Sequence, residues 1–265
     1  MRIGIIGAGN IGSAIVNGFA NSTSIKNSNL YISDLSQSRL QELKDRNKGT
    51  NTLLSNVELV KQTDIIILAV KPWIVENIVN EIKQHIDYKK QLIVSVAAGV
   101  GFSQLSTLFL NDKKENPVLF RMIPNTAIAI NKGVLTLSNM NANSEQENIV
   151  KELFSELGNV FVVEEKHLNA FMSLSSCGIA YAFRYIRAAV EGAVEMGINA
   201  DVAQKVVLQT LVGAAELLNA NSSHPEAEID KVTTPGGITI KGLNEMEAYG
   251  FSNSVIKGLK ASLIK

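Results

Sequence analysis

Residues Gly7-Ala8-Gly9-Asn10-Ile11-Gly12 read G-x-G-x-x-G, and they stand between an apolar run, Ile3-Gly4-Ile5-Ile6, and a stretch over 11–19 with helical spacing. A strand that enters a glycine turn and leaves as a helix is the context that gives this pattern physical meaning. Gly7 permits the tight turn, Gly9 lets backbone come close to a pyrophosphate, and Gly12 lets helix and strand pack closely. The helix start adds unpaired N–H groups and the positive end of its dipole. The motif therefore predicts a strand–helix–strand unit with a dinucleotide held by Gly7, Gly9, Asn10, Ile11 and Gly12. A glycine turn without a ligand is the alternative, and its placement directly after a strand argues against it.

The rest of the first half repeats the alternation. Apolar runs at Leu30–Ser33, 65–70, 92–96 and 118–122 read as strands, and segments 38–46 and 75–85 read as helices. Runs that are apolar throughout, alternating with helices, predict a doubly wound parallel sheet buried on both faces. Ligands of such folds bind beyond the carboxyl ends of the strands. Those ends are Ala69-Val70-Lys71-Pro72, Val96-Ala97-Ala98-Gly99 and Met122-Ile123-Pro124-Asn125-Thr126, which predicts Val70, Lys71, Pro72, Ala97 and Asn125 at one crevice. Lys71, directly before Pro72, is read as shaping backbone there ahead of moving a proton.

The second strand ends at Ser33-Asp34, about 20 residues past the glycines, where the residue that recognises the ribose stands. An acidic side chain there bonds the 2′-hydroxyl of NAD and repels the 2′-phosphate of NADP. Ser33, Ser36 and Ser38 are small donors, and Arg39 can reach a phosphate, so both coenzymes stay in play, with NADP placed first. Asp34 as a plain helix cap is compatible with either.

Beyond about residue 144 the texture changes. Segment 145–157 reads as an amphipathic helix, 160–163 as a short strand, and everything from Lys166 onward as helices. One long helix is expected over 167–196, ended by Gly197, and a second over 201–220 capped by Asp201. The expected division is a dinucleotide-binding Rossmann-type domain at 1–160 and an all-helical domain at 161–265. In the latter, Thr234-Pro235-Gly236-Gly237 leads into a helical run at 239–249, a geometry that offers backbone N–H groups to a small carboxylate.

At this level of detail the chain resembles the pyrroline-5-carboxylate reductase family. The resemblance rests on Ile5-Ile6-Gly7-Ala8-Gly9-Asn10-Ile11-Gly12, on Ala69-Val70-Lys71-Pro72, on Arg121-Met122-Ile123-Pro124-Asn125-Thr126, and above all on Val232-Thr233-Thr234-Pro235-Gly236-Gly237-Ile238-Thr239. It implies a helical domain that dimerises by interlocking helices and serves the substrate. It also implies hydride transfer from NADPH or NADH to the cyclic imine 1-pyrroline-5-carboxylate, giving L-proline, the last step of proline biosynthesis. In that family Thr234, Gly236 and Gly237 would hold the substrate carboxylate and Thr239 would hydrogen-bond the ring nitrogen. Thr234 stands where the family usually has Ser. Ser175-Ser176-Cys177-Gly178-Ile179-Ala180-Tyr181 stands where it reads Ser-Gly-Ser-Gly-Pro-Ala-Tyr, and Ala127 replaces a usual Pro.

Other chemistry finds little support. Lys plus Arg and Asp plus Glu each number 25, so no basic excess points to nucleic acid. His85, His167 and His224 are scattered without metal-ligand spacing. Cys177 is the only cysteine and reads as a packed residue at a helix start, and no disulfide forms within the chain. Arg184, Arg187, Glu191 and Glu195 read as a charged helix stripe. The start of the chain reads as a strand and no apolar run reaches membrane-spanning length, so the expected setting is cytoplasmic, without membrane partners. The competing readings are a non-catalytic dinucleotide sensor, and a dehydrogenase or imine reductase for a related small carboxylate. Lys166 and Lys205, the candidates for a catalytic lysine in such a dehydrogenase, lie in no matching motif.

Overall fold

A computed structural model describes residues 1–113 and 115–263, which fall into two compact units, 1–176 with Leu263 and 177–262. In the first, eight strands form one sheet: β1 (Ile3–Ile6), β2 (Leu30–Ser33), β3 (Asn51–Leu53), β4 (Ile65–Leu68), β5 (Leu92–Ser95), β6 (Leu119–Pro124), β7 (Gly133–Met140) and β8 (Gly158–Val162). Their order is β3-β2-β1-β4-β5-β6-β7-β8. The helices are α1 (Asn10–Ala20), α2 (Gln37–Arg46), α3 (Asn56–Val60), α4 (Val75–Ile82), α5 (Phe102–Leu108) and α6 (Ser144–Ser155), followed by a single turn α7 (Leu168–Phe171).

Side-chain alternation along the strands builds two cores. Ile3 and Ile5 of β1 and Ile65 and Ile67 of β4 join Ile15 and Phe19 of α1, Leu40 of α2 and Phe154 of α6 on one face. Ile6, Ile66 and Leu68 join Val75 and Val79 of α4 and Phe102 and Leu105 of α5 on the other. A strand buried on both faces has to be apolar at every position, which is why β1 and β4 are almost pure isoleucine. Each such side chain contributes about 1.5–3 kcal/mol on burial.

The sheet is parallel from β3 through β6, and there the expectation of a wholly parallel sheet is amended. β7 runs antiparallel to β6, with Met122 opposite Leu137, and β8 runs parallel to β7. The cause is the connection. A parallel return needs a crossover of a dozen residues or more, whereas β6 and β7 are joined by one short 3₁₀ turn, Thr126–Ile130, closed by Asn131 at φ 58°. The Asn131 amide donates to the Gly18 and Glu156 carbonyls, which pins this turn to α1 and the end of α6.

The last strand ends at Val162, while the division between compact units falls at Ser176 and Cys177. The intervening segment packs on the sheet, with Leu168 and Met172 against Ile123 of β6. The long helix expected over 167–196 is one helical run from Leu168 to Glu195 whose regular ladder changes partway. A 3₁₀ turn (Glu165–His167), α7, and a π-helical turn (Met172–Cys177) precede α8 (Gly178–Glu195). Serines explain the change: Ser173 and Ser175 donate back to the carbonyls of Asn169 and Phe171, which loosens the regular ladder. Ser176 instead donates to the Pro124 carbonyl at the end of β6, 2.9 Å away.

The second unit continues with α9 (Ala200–Asn221), α10 (Pro225–Val232), α11 (Ile238–Ala248) and α12 (Phe251–Ala261). Asn199, not Asp201, caps α9, accepting the Asp201 N–H at 2.9 Å. Gly250, at φ 77°, separates the last two helices. Only Val190, Ala193 and Ala203 are buried in this unit. Phe183, Val206, Leu217, Ile238 and Ile256 are each more than half exposed.

Candidate active site

The glycine turn is built as its spacing demands. Gly7 sits at φ +108°, and a Cβ added to it would lie 2.6 Å from the Ala69 carbonyl oxygen. Its N–H donates to the Ser33 carbonyl, 2.8 Å away, tying β1 to β2. A Cβ on Gly12 would collide with the Gly7 carbonyl oxygen, so α1 can rest on the turn only with glycine there. Gly9 is different, since a Cβ on it would meet nothing within 4 Å. That space is open on the side where a pyrophosphate would approach. Gly9 is also the N-cap of α1, without a side-chain cap bond and with no acidic residue in the first turn. The first N–H groups of an 11-residue helix are thus left for an anion. A dinucleotide fits this cradle, and the residues that would hold it are those of the adjoining cleft.

The cleft is lined by Gly7, Gly9, Asn10, Ile11, Asp34, Arg39, Ala69, Val70, Lys71, Pro72 and Ala97, among others. The three strand ends β1, β4 and β5 thereby meet as their topology requires. Lys71 is exposed and precedes a 3₁₀ turn that begins at Pro72, with the Ile74 N–H bonded to the Lys71 carbonyl at 2.9 Å. The lysine backbone shapes the rim of the cleft, and its side chain stands in solvent.

Three sequence-predicted residues are placed elsewhere. Gly12 lies beneath the turn. Ser33 is fully buried and its hydroxyl donates to Asn56 Oδ1 at 2.8 Å. Asn125 is buried as well, and its side-chain oxygen accepts the Val134 N–H at 3.2 Å while its own N–H reaches the Val134 carbonyl. It joins β6 to β7 and does not line the cleft. Asp34 has a definite job: its Oδ2 accepts the Ala8 N–H at 2.7 Å and its Oδ1 the Ser36 N–H at 2.8 Å. Ser36, not Asp34, caps α2, accepting the Arg39 N–H.

The Thr234–Gly237 segment lies in the helical unit. Thr234 accepts the Gly237 N–H at its carbonyl, 2.9 Å, across Pro235 and a Gly236 at φ 75°. Pro at the second position and a positive-φ glycine at the third make a type II turn. Gly237 is then the N-cap of α11, again without a side-chain cap bond, and Thr239 is its second residue. A Cβ on Gly237 would come within 2.7 Å of the Thr234 hydroxyl. Thr234 and Thr239 are exposed, whereas the Thr233 hydroxyl is committed to the Ile229 and Asp230 carbonyls of α10. The Thr234 hydroxyl therefore lies beside this turn, and the Thr233 hydroxyl does not.

One cluster was invisible to local reading. Arg121 of β6 is 7% exposed at its side chain and pairs with Glu165 at 2.7 Å. The same carboxylate oxygen accepts the Phe102 N–H at the start of α5, 2.6 Å, and the guanidinium lies over the Phe102 ring. An arginine inside an otherwise apolar strand is the signal that could have prompted a search for its acid.

Comparison with known proteins agrees with this geometry. A family model described as pyrroline-5-carboxylate reductase dimerisation matches residues 165–265, and one described as NADP oxidoreductase coenzyme F420-dependent matches residues 2–99. Pyrroline-5-carboxylate reductase 1 of Dictyostelium discoideum is 35% identical over 98% of this chain, which spans 48% of that longer protein. Pyrroline-5-carboxylate reductase 2 of the same organism is 33% identical over 100% of this chain and 91% of its own length. The crystal structure of Plasmodium falciparum pyrroline carboxylate reductase with NADP bound superposes with a TM-score of 0.89 at 28% identity, covering 99% of this chain and 95% of that one. Glycine cradle, cleft, helical unit and full-length likeness together place this chain in the pyrroline-5-carboxylate reductase family.

Proposed function

We propose that this chain reduces 1-pyrroline-5-carboxylate to L-proline with NAD(P)H, using the cleft at the β1, β4 and β5 ends for the coenzyme and the Thr234–Gly237 turn for the substrate carboxylate. The observation that carries the substrate half is the uncapped start of α11, an 11-residue helix entered through a Pro-Gly-Gly turn. Its unpaired N–H groups and dipole suit a carboxylate. A protonated cyclic imine is already electrophilic at carbon and needs no strong acid. What the chain must supply is placement, which can account for several kcal/mol of the barrier. A bound nicotinamide dinucleotide supplies the hydride. Thr239 holds the ring nitrogen through its hydroxyl and fixes which face of the ring is presented, while Thr234, Gly236 and Gly237 hold the carboxylate. Once hydride has reached the imine carbon, the nitrogen, already protonated, is the neutral ring amine and takes up one solvent proton.

The helical unit supports assembly. With only three buried side chains and large apolar residues exposed on α8, α9, α11 and α12, it lacks a core of its own. A second copy of the chain supplies one, in keeping with the family description of this region as a dimerisation domain. Among the described residues no helix is long and apolar enough to cross a membrane, and the cytoplasmic setting belongs to this proposal.

The test is oxidation of NADPH and NADH, followed at the nicotinamide absorbance with pyrroline-5-carboxylate present. Turnover is expected, and Thr239→Ala should lower kcat by about 10²-fold, as for loss of one transition-state hydrogen bond, with coenzyme affinity unchanged. Coenzyme binding without turnover on this imine would refute the substrate assignment and favour a sensor or another small carboxylate.

A further inference from the structure

We infer that Asp34 makes this chain prefer NADH to NADPH. The inference rests on the reading of the cleft as the coenzyme site, and it concerns the chain's own residues at the ribose position.

Asp34 follows the last residue of β2, and it lines the same cleft as Gly7 and Gly9. It is held from two sides, by the Ala8 N–H at 2.7 Å and the Ser36 N–H at 2.8 Å. Both donors are neutral backbone groups, and Asp34 forms no ion pair among the described residues. Its negative charge is therefore fixed in place and not cancelled. Each oxygen keeps a further lone pair, enough to accept a ribose hydroxyl. A phosphate in the same place would set its negative charge against the pinned carboxylate, which cannot rotate away without freeing two N–H groups.

The groups on the other side of the balance are weaker. Ser36 is occupied as the α2 cap and is paired with Ser38 at 3.0 Å. Leu35, 92% exposed, offers no charge. Arg39 lines the cleft and is the one cation of this turn, but it is exposed and makes no ion pair among the described residues, so its charge is mobile and solvated. Lys71 lines the cleft from the end of β4, the strand on the other side of β1 from β2. A fixed anion at the ribose outweighs a mobile cation at the rim.

Trp73 is the only tryptophan and lies between Pro72 and Ile74, both of which line the cleft. Its emission, transferred to a reduced nicotinamide, reports binding in the absence of any pyrroline. Titration of the wild-type chain at low salt should give a Kd for NADH at least about tenfold below that for NADPH, the discrimination of one strong like-charge contact. Asp34→Ser should shrink that ratio by at least about tenfold, chiefly through tighter NADPH, with a melting curve to verify folding. Equal or tighter binding of NADPH by the wild type overturns the inference, whatever the variant does. So does an Asp34→Ser variant that weakens both coenzymes by one factor, which would make Asp34 a clamp alone. Failure of both coenzymes to bind overturns the cleft assignment and the inference with it. Preferential NADH binding without pyrroline turnover would leave the inference standing and refute only the substrate.

Discussion

Replacing Glu165 by alanine removes the carboxylate paired with the buried Arg121 guanidinium. Arg121 is 7% exposed at its side chain and Glu165 37%, so one member of the pair is desolvated and the other partly screened. Unit charges about 4 Å apart near a protein surface attract by roughly 4 kcal/mol, and stranding one partner of a buried pair costs about 3–5 kcal/mol. Exposure of Glu165 pulls this down, while loss of the acceptor for the Phe102 N–H adds about 1 kcal/mol. The net expectation for Glu165→Ala is a loss of about 2–4 kcal/mol, or a fall in Tm of roughly 5–12 °C for a domain of this size. Glu165→Gln keeps an acceptor for Phe102 and should cost less. Arg121→Met replaces the charge with an apolar chain of similar length, and combined with Glu165→Ala it should cost clearly less than the two single losses added. Urea unfolding of the four proteins gives the coupling energy, expected at about 1.5 kcal/mol or more. A Glu165→Ala loss under about 1 kcal/mol, or additive singles, would refute the claim that Arg121 depends on this carboxylate.

Gly12→Ala should abolish stabilisation by either coenzyme in a melting assay and destabilise the free protein by at least about 1–3 kcal/mol, because the obstacle its Cβ meets is the Gly7 backbone; a normal melt with a normal coenzyme shift would contradict it. Tyr88 is buried, its hydroxyl donates to the Phe109 carbonyl at 2.6 Å, and burial followed by the nearby Glu115 charge pushes its pKa above the usual tyrosine value. A group raised on folding stabilises the protein fully below its unfolded pKa of about 10 and loses that contribution as pH climbs toward the folded value. Tm should therefore fall from about pH 10 upward, more steeply in the wild type than in Tyr88→Phe, and parallel curves would remove Tyr88 as the cause.

How much of this was legible in the sequence varies with how local the cause is. β1 was readable to the residue because a strand buried on both faces has to be apolar throughout, and the glycines named their own turn. β7 escaped because Thr136 and Ser138, both buried, break up what would otherwise be a continuous apolar run. β3, α3 and α5 escaped because elements of three to seven residues carry too little periodicity to register. The π-helical turn preserves apolar spacing well enough to pass for regular helix. In the cleft, residue types at the strand ends were readable, but directions were not. Whether Ser33 faces the ribose or Asn56 depends on a partner 23 residues away. Glu165 lies 44 residues from Arg121, and only the fold joins them.

The thin core of the helical half bears on how the protein comes into being. With Val190, Ala193 and Ala203 as its buried side chains, this half, where a second copy supplies its core as proposed above, completes its folding in a bimolecular step whose rate rises with the number of copies present. A newly made chain waits with an apolar surface uncovered, and that interval lengthens as expression falls. Abundance and maturation are thereby coupled. On the proposed assignment of the substrate site, a copy disabled only in the Thr234–Gly237 turn would still mature, pairing with intact chains and drawing them into mixed assemblies.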